Sequence, residues 1–236
     1  MTFSKRSYQK ELLDEDEIPF ADIKQNMKEL DFINKWLGGH KITVDAFKHL
    51  SEEKNKISIC EIGCGGGDNL AAIYKWCRKK KIDINITGID IKKECIDYAK
   101  NRNALPDNVN WITSDYKKVS FNTKPDIVFS SLFCHHFTDA ELIFQINWMR
   151  QNTRVGFFIN DLHRSFLAYY SIRFLTRFFS QSHLVKNDAP LSVARGFTRS
   201  ELKSLCNKAS AEQAAVSWKW AFRYVVMYKH ERPNVI

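Results

Sequence analysis

The stretch that most constrains the fold lies near the start of the second quarter of the chain. A β-branched run, Ile57 to Ile62, leads into Gly63-Cys64-Gly65-Gly66-Gly67 and then into a helical pattern that begins near Asp68. Glycine permits positive φ angles and a close approach of a ligand to the main chain, and the first amides of a helix are free to donate hydrogen bonds. The order strand, glycine loop, helix predicts an α/β fold that binds a nucleotide-like cofactor at this loop.

The spacing of the glycines distinguishes between cofactors. A dinucleotide fingerprint, G-x-G-x-x-G, that begins at Gly63 would need glycine at position 68, where this chain has Asp68. The run reads E-x-G-x-G-x-G, with Glu61 inside the strand, and it resembles motif I of the class I S-adenosylmethionine-dependent methyltransferases. The resemblance implies S-adenosylmethionine as the cofactor, held by Glu61, Gly63, Cys64 and Gly65.

The composition is that of a globular protein with a substantial core. The chain has 236 residues, 44% of them hydrophobic, which suits one α/β domain with additions. The first residues are polar, and no uncharged apolar run is long enough to span a membrane, so we expect a cytoplasmic protein. The six cysteines form no C-x-x-C pair and lie in apolar patterns, so we expect reduced thiols in the core and no metal.

From the glycine loop onward, short apolar runs alternate with helical patterns. We predict strands at 57–62, 84–90, 109–113, 126–131 and 155–160, and helices at 68–80, 92–105 and 139–151. This alternation indicates a parallel sheet with helices on both faces. A last helix at 198–209 and two β-rich runs at 214–220 and 222–228 follow, and the two runs must form a hairpin. A doubly wound, mostly parallel seven-stranded sheet that ends in an antiparallel hairpin resembles the class I methyltransferase topology.

We predict a single domain, 1–236, with four parts. Residues 1–56 hold a loose arm, with an acidic cluster at Asp14 to Glu17, and then two helices, the first ended by Gly38-Gly39 and the second starting near Thr43. Residues 57–161 form the cofactor-binding core, and 198–236 the last helix and hairpin. Between them, residues 162–197 form an insertion that resembles the lids of small-molecule methyltransferases, with a helix at 165–180 and a linker at 181–196.

The helix at 165–180 is apolar on nearly all sides but carries Arg173 and Arg177. It is too short and too charged to span a bilayer. We expect it to cover a substrate pocket, a partner subunit in a homodimer or a membrane surface, in that order.

Two further strand ends carry acids suited to an adenosine. Asp90 ends the second strand, 23 residues after Gly67, where its carboxylate can accept hydrogen bonds from both ribose hydroxyls, and Ile91 follows it. Ser114 and Asp115 follow the third strand, and the resemblance implies that Asp115 accepts from the adenine amino group. The alternatives are a helix cap at Asp90 and a turn at Asp115.

The fourth strand ends in Ser130-Ser131-Leu132-Phe133-Cys134-His135-His136-Phe137. In the family that the chain resembles, enzymes that methylate nucleic-acid amines place D/N-P-P-Y/F here, and metal-dependent catechol-type enzymes place a carboxylate. This chain has neither. The string instead resembles the same segment of small-molecule methyltransferases, including the type that methylates quinone precursors, and we place Ser131 at the cofactor.

Histidines after the fourth and fifth strands are the candidate catalytic bases. A phenolic or enolic acceptor must lose its proton as the methyl group arrives, and histidine titrates near neutral pH. The candidates are His136, His163 and His135, and Asp161 could orient the ring of His163. The alternatives are histidines with a structural role only, and an acceptor that binds as an anion and needs no base.

The sequence therefore predicts an S-adenosylmethionine-dependent methyltransferase that acts on a small aromatic or lipid-like acceptor, most simply at oxygen. The net charge of +9 leaves an RNA methyltransferase open, although no recognised RNA-binding module accompanies it. A regulatory protein that binds the cofactor without catalysis is the third alternative.

Overall fold

The computed structural model describes residues 3–15, 18–52, 54–102 and 104–231. The strands are β1 (Lys56–Ile62), β2 (Asp83–Asp90), β3 (Asn110–Thr113), β4 (Ile127–Ser131), β5 (Gly156–Leu162), β6 (Ala215–Lys219) and β7 (Arg223–Lys229). The helices are α1 (Phe20–Trp36), α2 (Gly39–Leu50), α3 (Asp68–Lys80), α4 (Lys93–Asn101), α5 (Asp139–Gln151), α6 (Phe166–Phe179), α7 (His183–Arg195) and α8 (Arg199–Lys208). Asp16 and Glu17 of the predicted acidic cluster lie outside the described residues.

The strands form one sheet in the order β3-β2-β1-β4-β5-β7-β6. The first five of these are parallel to one another. Strand β7 runs antiparallel between β5 and β6, with Phe158 beside Met227 and Val216 beside Val226. The predicted doubly wound sheet with its C-terminal hairpin is confirmed. Because the chain order reverses between β1 and β4, the loops after these strands open a crevice at their carboxyl ends.

The central strands are apolar and buried on both faces, as a parallel sheet covered by helices requires. Strand β4 is buried throughout, and Phe129 of β4 stacks on Phe158 of β5 with ring centroids 4.7 Å apart. Helices α2 and α3 pack in the core on one face of the sheet, and α5 and α8 in the core on the other. These two cores fix the strand ends that surround the crevice.

Two helices begin with a reciprocal pair of capping hydrogen bonds. At the start of α5, the Thr138 hydroxyl accepts from the Glu141 amide while the Glu141 carboxylate accepts from the Thr138 amide. Thr198 and Glu201 form the same reciprocal pair at the start of α8. Each pair satisfies two amides that the helix leaves free, and a cap of this kind stabilises a helix by about 1 kcal/mol.

The first two helices meet at the predicted glycine pair. Gly38 follows the end of α1 in the left-handed region, with φ +75°, which is the usual way for glycine to end a helix. Helix α2 then begins at Gly39, four residues before the predicted start at Thr43. The Thr43 hydroxyl donates to the Gly39 carbonyl one turn earlier, so Thr43 supports the interior of the helix and does not begin it.

Residues 181–196 were predicted to be a linker, and this prediction is wrong, because they contain α7. The Ser182 side chain caps this helix by accepting from the Val185 amide at 3.3 Å. Pro190 lies inside the helix and removes one of its hydrogen bonds. The helix persists because it buries apolar side chains such as Leu191 against the rest of the protein.

The arm at residues 3–15 is held firmly, contrary to the expectation of a loose segment. The buried Arg6 donates to the carbonyls of Arg195 and Phe137 at 3.0 and 2.9 Å. The Asp188 carboxylate of α7 accepts from the Leu12 and Leu13 amides at 2.9 and 3.0 Å. These contacts lay the arm across α7 and across the turn that follows β4.

Helix α6 confirms the helix predicted over 165–180, and it packs beside α7. It buries Ala168 and Thr176, and leaves most of its aromatic side chains exposed. Among the described residues, no helix is long and apolar enough to cross a membrane.

Candidate active site

The crevice at the strand ends holds a cavity of about 600 Å³, which is within the usual range for a cofactor site. The arm and the loops after β1, β2, β3 and β4 surround it. Seven of the residues predicted to contact the cofactor line this cavity: Gly63, Gly65, Asp90, Ile91, Ser114, Asp115 and Ser131. The other two, Glu61 and Cys64, are buried behind the loop.

The glycine loop needs its glycines for two different reasons. Gly63 has φ +65°, and a Cβ atom there would lie 2.3 Å from the ring of Phe133. Gly65 has φ +49°, and a Cβ atom there would meet no atom of the described residues within 4 Å, because the cavity lies on that side. The loop therefore presents bare backbone to the cavity, next to the N-terminus of α3, where a cofactor can lie against the main chain.

Asp90 braces the loop while it faces the cavity. Its Oδ2 accepts from the Gly65 amide at 2.8 Å, and its Oδ1 accepts from the Lys92 amide at 2.9 Å. Burial raises the pKa of the Asp90 carboxyl, although these hydrogen bonds oppose the rise. The helix-cap contact, which was the alternative to a ligand contact, is therefore present. Asp90 nevertheless also lines the cavity.

Asp115 makes the turn contact that was the alternative to a contact with the adenine base. Its Oδ1 accepts from the Lys117 amide at 3.0 Å and so begins a short 3₁₀ turn. Asp115 still lines the cavity beside Ser114. A turn and a contact to the adenine base remain compatible at this position.

Glu61 supports the site from beneath the loop. Its side chain is buried, and its Oε1 accepts from the Asn69 amide group at 3.2 Å. Burial raises the pKa of Glu61 well above its usual value. The second oxygen, Oε2, has no hydrogen-bond partner in the described part of the chain. A buried, unpaired oxygen beside a cavity-lining residue fits a site whose ligand brings its own donors.

A second cavity of about 320 Å³ adjoins the first, and we name it the acceptor cavity. Its wall is mostly apolar and comes from α1, α6, α7 and the turn before β7. The two cavities share the side chains Leu13, Leu30, Asn34, Leu132 and His136. Leu132 has φ +53°, a strained conformation for a residue other than glycine, and such strain is common at functional sites.

His135 lies in the wall of the acceptor cavity as part of a buried ionic group. Its Nδ1 donates to Asp161 Oδ1 at 2.7 Å, and its Nε2 lies 3.5 Å from Glu11 Oε1. The His135 side chain is only 3% exposed. Burial disfavours the charged ring, but Asp161 and Glu11 outweigh burial and raise the pKa of His135 to about 9. At neutral pH His135 is therefore charged, and a charged imidazole cannot accept a proton.

His136 lies where the two cavities meet. Its Nδ1 donates to Asp14 Oδ1 at 3.0 Å, and its Nε2 lies 3.9 Å from Glu11 Oε2. Asp14 is in turn bonded by Arg195 at 3.0 Å. Burial opposes ionisation of Asp14, but its contacts with His136 and Arg195 hold its pKa well below the usual range. The carboxylate of Asp14 holds the ring of His136 at this junction, with Nε2 on the side of Glu11.

His163 lies elsewhere. It lines neither of these two cavities, and its Nδ1 accepts from Trp218 Nε1 of the hairpin at 3.2 Å. Asp161 bonds His135 and the Phe133 amide, so the prediction that Asp161 orients His163 is wrong. The physical reason is that β5 ends at Leu162, after which the His163 amide bonds Phe222 and the chain turns away from the crevice.

Glu11, His135 and His136 also have the composition of a metal site, because one ligand atom from each lies within 4.8 Å of the others. Carboxylates on the far nitrogens of both rings are the usual supports of metal-binding histidines. The negative charge of Glu11 is already countered, however, by the proton on His135 and by Arg195 Nε at 3.9 Å. The absence of a metal stays a prediction.

Arg223 adds a buried positive charge to the acceptor cavity. Its Nη2 donates to Asn34 Oδ1 at 2.6 Å, and Arg223 lines the cavity wall. Burial lowers the pKa of Arg223 to about 10, so the guanidinium remains charged at neutral pH. Sequence reasoning missed Arg223, Glu11, Asp14 and Arg195, because each reaches the site from a segment with no local motif.

The comparisons with known proteins agree with this geometry. Residues 59–156 match the family model described as a methyltransferase domain. The fold is similar to that of the plantazolicin methyltransferase BpumL in complex with SAH, with 19% identity over 89% of this chain and 90% of that chain and a TM-score of 0.65. The fold is also similar to that of human N-acetylserotonin methyltransferase in complex with SAM, with 14% identity over 89% of this chain and 56% of that chain and a TM-score of 0.63. No curated protein matches the chain by sequence.

The match over residues 59–156, the sheet order and the glycine loop together support an S-adenosylmethionine-dependent methyltransferase. The similar structures contain SAH and SAM, which supports the cofactor predicted from E-x-G-x-G-x-G. The cavity residues fit that cofactor: Gly65 leaves room at the main chain, Asp90 presents a carboxylate, and Glu61 has an unpaired oxygen nearby. The closer resemblance to enzymes that methylate quinone precursors stays a prediction.

Proposed function

We propose that this methyltransferase acts on a small, largely apolar acceptor held in the acceptor cavity, and that it methylates an oxygen of that acceptor. The observation that carries the proposal is the position of His136, whose side chain lines both cavities. Any acceptor that reaches the cofactor through this junction passes the ring of His136.

S-adenosylmethionine supplies an electrophilic methyl group when it is bound. The glycine loop and Asp90 would hold the cofactor, and Asp115 and Ile91 would contact its base. Leu132 and Phe133 then form the apolar edge of the junction. Apolar walls exclude water and fix the acceptor oxygen in line with the methyl group, which is where much of the acceleration in a displacement of this kind arises.

His136 is the proposed general base. A hydroxyl group attacks the methyl carbon well only as it loses its proton, and a base within hydrogen-bond reach contributes about 10²–10⁴ in rate. The Asp14 contact keeps the Nδ1 proton in place and stabilises the imidazolium that forms when Nε2 accepts the acceptor's proton. His135 is the positioning residue beside it, because its own charge is already neutralised by Asp161 and Glu11.

Arg223 supports oxygen as the atom that is methylated. As the acceptor hydroxyl loses its proton, negative charge develops on the oxygen, and a fixed positive charge in an apolar wall stabilises that charge more than water would. Arg223 is held in place by Asn34. An acceptor with a phenolic or enolic hydroxyl matches a cavity that combines an apolar wall with the proposed base His136 and the buried cation of Arg223.

A metal-assisted transfer is the second candidate, and the Glu11, His135 and His136 group favours it. A bound divalent ion would lower the pKa of the acceptor hydroxyl and replace His136 as the source of activation. Metal analysis of the purified protein, with turnover measured before and after EDTA treatment, separates the two. One tightly bound ion per chain whose removal abolishes turnover would establish the metal and exclude the base.

An RNA acceptor is disfavoured by the mostly apolar wall of the acceptor cavity. If RNA were the acceptor, its affinity would fall log-linearly with salt, with a slope of roughly −0.7 per phosphate contacted on a single strand. We expect weak binding with no sequence preference at physiological salt. Tight binding that is lost when Arg173, Arg177 and Arg199 are replaced would reverse this conclusion.

The experiment that tests the base compares His136→Ala with His163→Ala, using a phenol that the enzyme accepts. The first variant should lose about 10²–10⁴ in turnover while S-adenosylhomocysteine affinity stays unchanged. The second should turn over at a rate close to that of the wild type, because His163 contacts Trp218 and lines neither cavity. Wild-type turnover in His136→Ala would leave positioning of an anionic acceptor as the mechanism.

A further inference from the structure

A third cavity lies between α1 and α6, on the side of the acceptor cavity away from the cofactor. It has a volume of about 250 Å³ and a wall that is apolar except for Glu29, Thr176 and Ser180. It shares four side chains with the acceptor cavity: Ile33, Leu37, Ile172 and Leu175. The cofactor cavity, the acceptor cavity and this third cavity therefore follow one another, each joined to the next by shared walls.

The outer end of the third cavity reaches the protein surface among large aromatic side chains. Phe32, Trp36 and Phe179 line it and are 60%, 74% and 77% exposed. Exposed aromatic side chains grouped around a groove are unusual on the surface of a protein and mark sites where apolar ligands bind. The groove begins at the catalytic junction and ends at this surface.

We propose that the acceptor is an amphiphile, with its hydroxyl-bearing head in the acceptor cavity and an apolar tail that passes between α1 and α6. This inference rests on the proposed function and names the class of its substrate. Along α6, the wall extends from Ala168 in the acceptor cavity to Phe179 in the third cavity, about 16 Å at a rise of 1.5 Å per residue. A compact aromatic ring would leave most of this length empty, whereas an extended hydrocarbon chain fills it.

The polar groups are placed as this ligand requires. His136 and Arg223 belong to the acceptor cavity and are absent from the wall of the third cavity. Glu29, at the edge of the third cavity, accepts from the Ser182 and Gln181 amides, so its charge is turned toward the protein backbone. The walls therefore become less polar from the junction outward. A phenol with an alkyl tail has the same arrangement, with its polar hydroxyl at one end and its apolar tail at the other.

The test uses 4-ethyl-, 4-butyl-, 4-hexyl- and 4-octylphenol as probes. Their dissociation constants are measured by calorimetry on the protein saturated with S-adenosylhomocysteine, and their kcat/KM values with S-adenosylmethionine. Each methylene that enters an apolar cavity should tighten binding by about fourfold, until the tail reaches solvent. Equal affinity for the four phenols in the wild type would overturn the inference.

Leu175→Trp is the variant that blocks the groove, because Leu175 belongs to both cavities and is 40% exposed, so a larger side chain can be accommodated at the surface. Relative to its own affinity for 4-ethylphenol, this variant should show no increase in affinity with longer tails. Leu167→Trp is the matched control on the same helix, because Leu167 is 63% exposed and lines neither cavity. The control should keep the wild-type increase in affinity with tail length.

Ile33→Trp narrows the same point from α1 and provides a second variant if Leu175→Trp does not fold, with folding checked by stabilisation on S-adenosylhomocysteine binding. If both blocking variants kept the wild-type increase in affinity with tail length, the inference would be overturned. The inference would also be overturned if the increase in affinity with tail length disappeared in Leu167→Trp. It would be overturned as well by a concentration-dependent dimer that covers the exposed face of α6 and binds no phenol. Absence of turnover with all four phenols would reject the proposed acceptor chemistry alone, since the chain-length dependence of binding is measured without turnover.

Discussion

The buried ionic group around His135 makes stability depend on pH in a defined direction. In the folded protein the pKa of His135 is raised from 6.5 to about 9 by Asp161 and Glu11. A group whose pKa is raised by folding stabilises the protein fully below its unfolded pKa, and that stabilisation is lost as the pH rises through the folded pKa. Stability should therefore fall between pH 6.5 and about 9.

The magnitude follows from the size of the shift. At about 1.4 kcal/mol per pKa unit, the rise from 6.5 to about 9 corresponds to roughly 3 kcal/mol of unfolding free energy. For a chain of this length, that is roughly 6–12 °C in melting temperature. The acids of the group do not contribute in this range, because the pKa values of Asp161 and Glu11 are lowered and their effect is lost only in acid.

The assay is urea unfolding at pH steps from 6.5 to 9.5, for the wild type and for His135→Gln. Glutamine can still donate to Asp161 but cannot carry the charge, so the variant should be less stable at pH 6.5 and should lose the decline toward pH 9. Burial also raises the pKa of thiols such as Cys77, which adds a decline above pH 9 in both proteins. The difference between the two profiles removes that contribution.

His49→Gln provides the control, because His49 is on the exposed side of α2 and lies far in the chain from the site. Its profile should follow that of the wild type. If His135→Gln declines with pH as steeply as the wild type does, the assignment of a charged, buried His135 is incorrect, and the reasoning that leaves His136 as the base fails with it.

Three further predictions concern the ligand sites. In a thermal-shift assay, S-adenosylhomocysteine at ~100 times its dissociation constant should stabilise the protein by about 2.7 kcal/mol, and NAD should have no effect. Asp90→Ala should remove most of the stabilisation by S-adenosylhomocysteine. An equal stabilisation by NAD would contradict the assignment of the cofactor site. Arg223→Met should lower turnover by about 10²-fold, with partial recovery in Arg223→Lys, and full activity of the methionine variant would show that no oxyanion is stabilised there. EDTA treatment should leave turnover unchanged in a stopped radiometric assay, and a loss restored by a divalent ion would instead favour the metal-assisted route.

The parts of the site that could be predicted from the sequence are those built from short local patterns. The glycine loop, Asp90 at the end of β2 and Asp115 after β3 each follow a strand directly, and parallel strands bring their carboxyl ends to one edge of the sheet. The cavity-lining positions of Gly63, Gly65 and Ser131 follow from the same rule. The hairpin of β6 and β7 was equally local, since almost no residues separate its two runs.

The catalytic group could not be predicted in full, because it is assembled from distant segments. Glu11 and Asp14 are more than 120 positions from His135 and His136 in the chain, and nothing in the arm signals that Asp188 and Arg6 hold it in place. Whether Asp161 contacts His163, as predicted, or His135, as observed, depended on where β5 ends, and element boundaries are the least certain part of a sequence-based prediction.

Helix α7 was missed because Pro190 indicates a break in a helix, whereas tertiary burial decides the outcome here. Its side chains matter for the site, since Arg195 at its end contacts Asp14 and the carbonyl of His136. Residues 162–197 therefore contain two packed helices, and the arm is bonded to the second of them. A pattern within one segment does not contain that information.

The atom that receives the methyl group distinguishes methylation of a phenolic oxygen from the other possible reactions. The enzyme is incubated with S-adenosylmethionine labelled in the methyl group and with 4-butylphenol, and the product is identified by mass spectrometry and NMR. We expect an aryl methyl ether, formed by the wild type and by His163→Ala and reduced about 10²–10⁴-fold in His136→Ala. Label on a ring carbon, label in RNA added as a competing acceptor, or undiminished ether formation by His136→Ala would contradict this expectation.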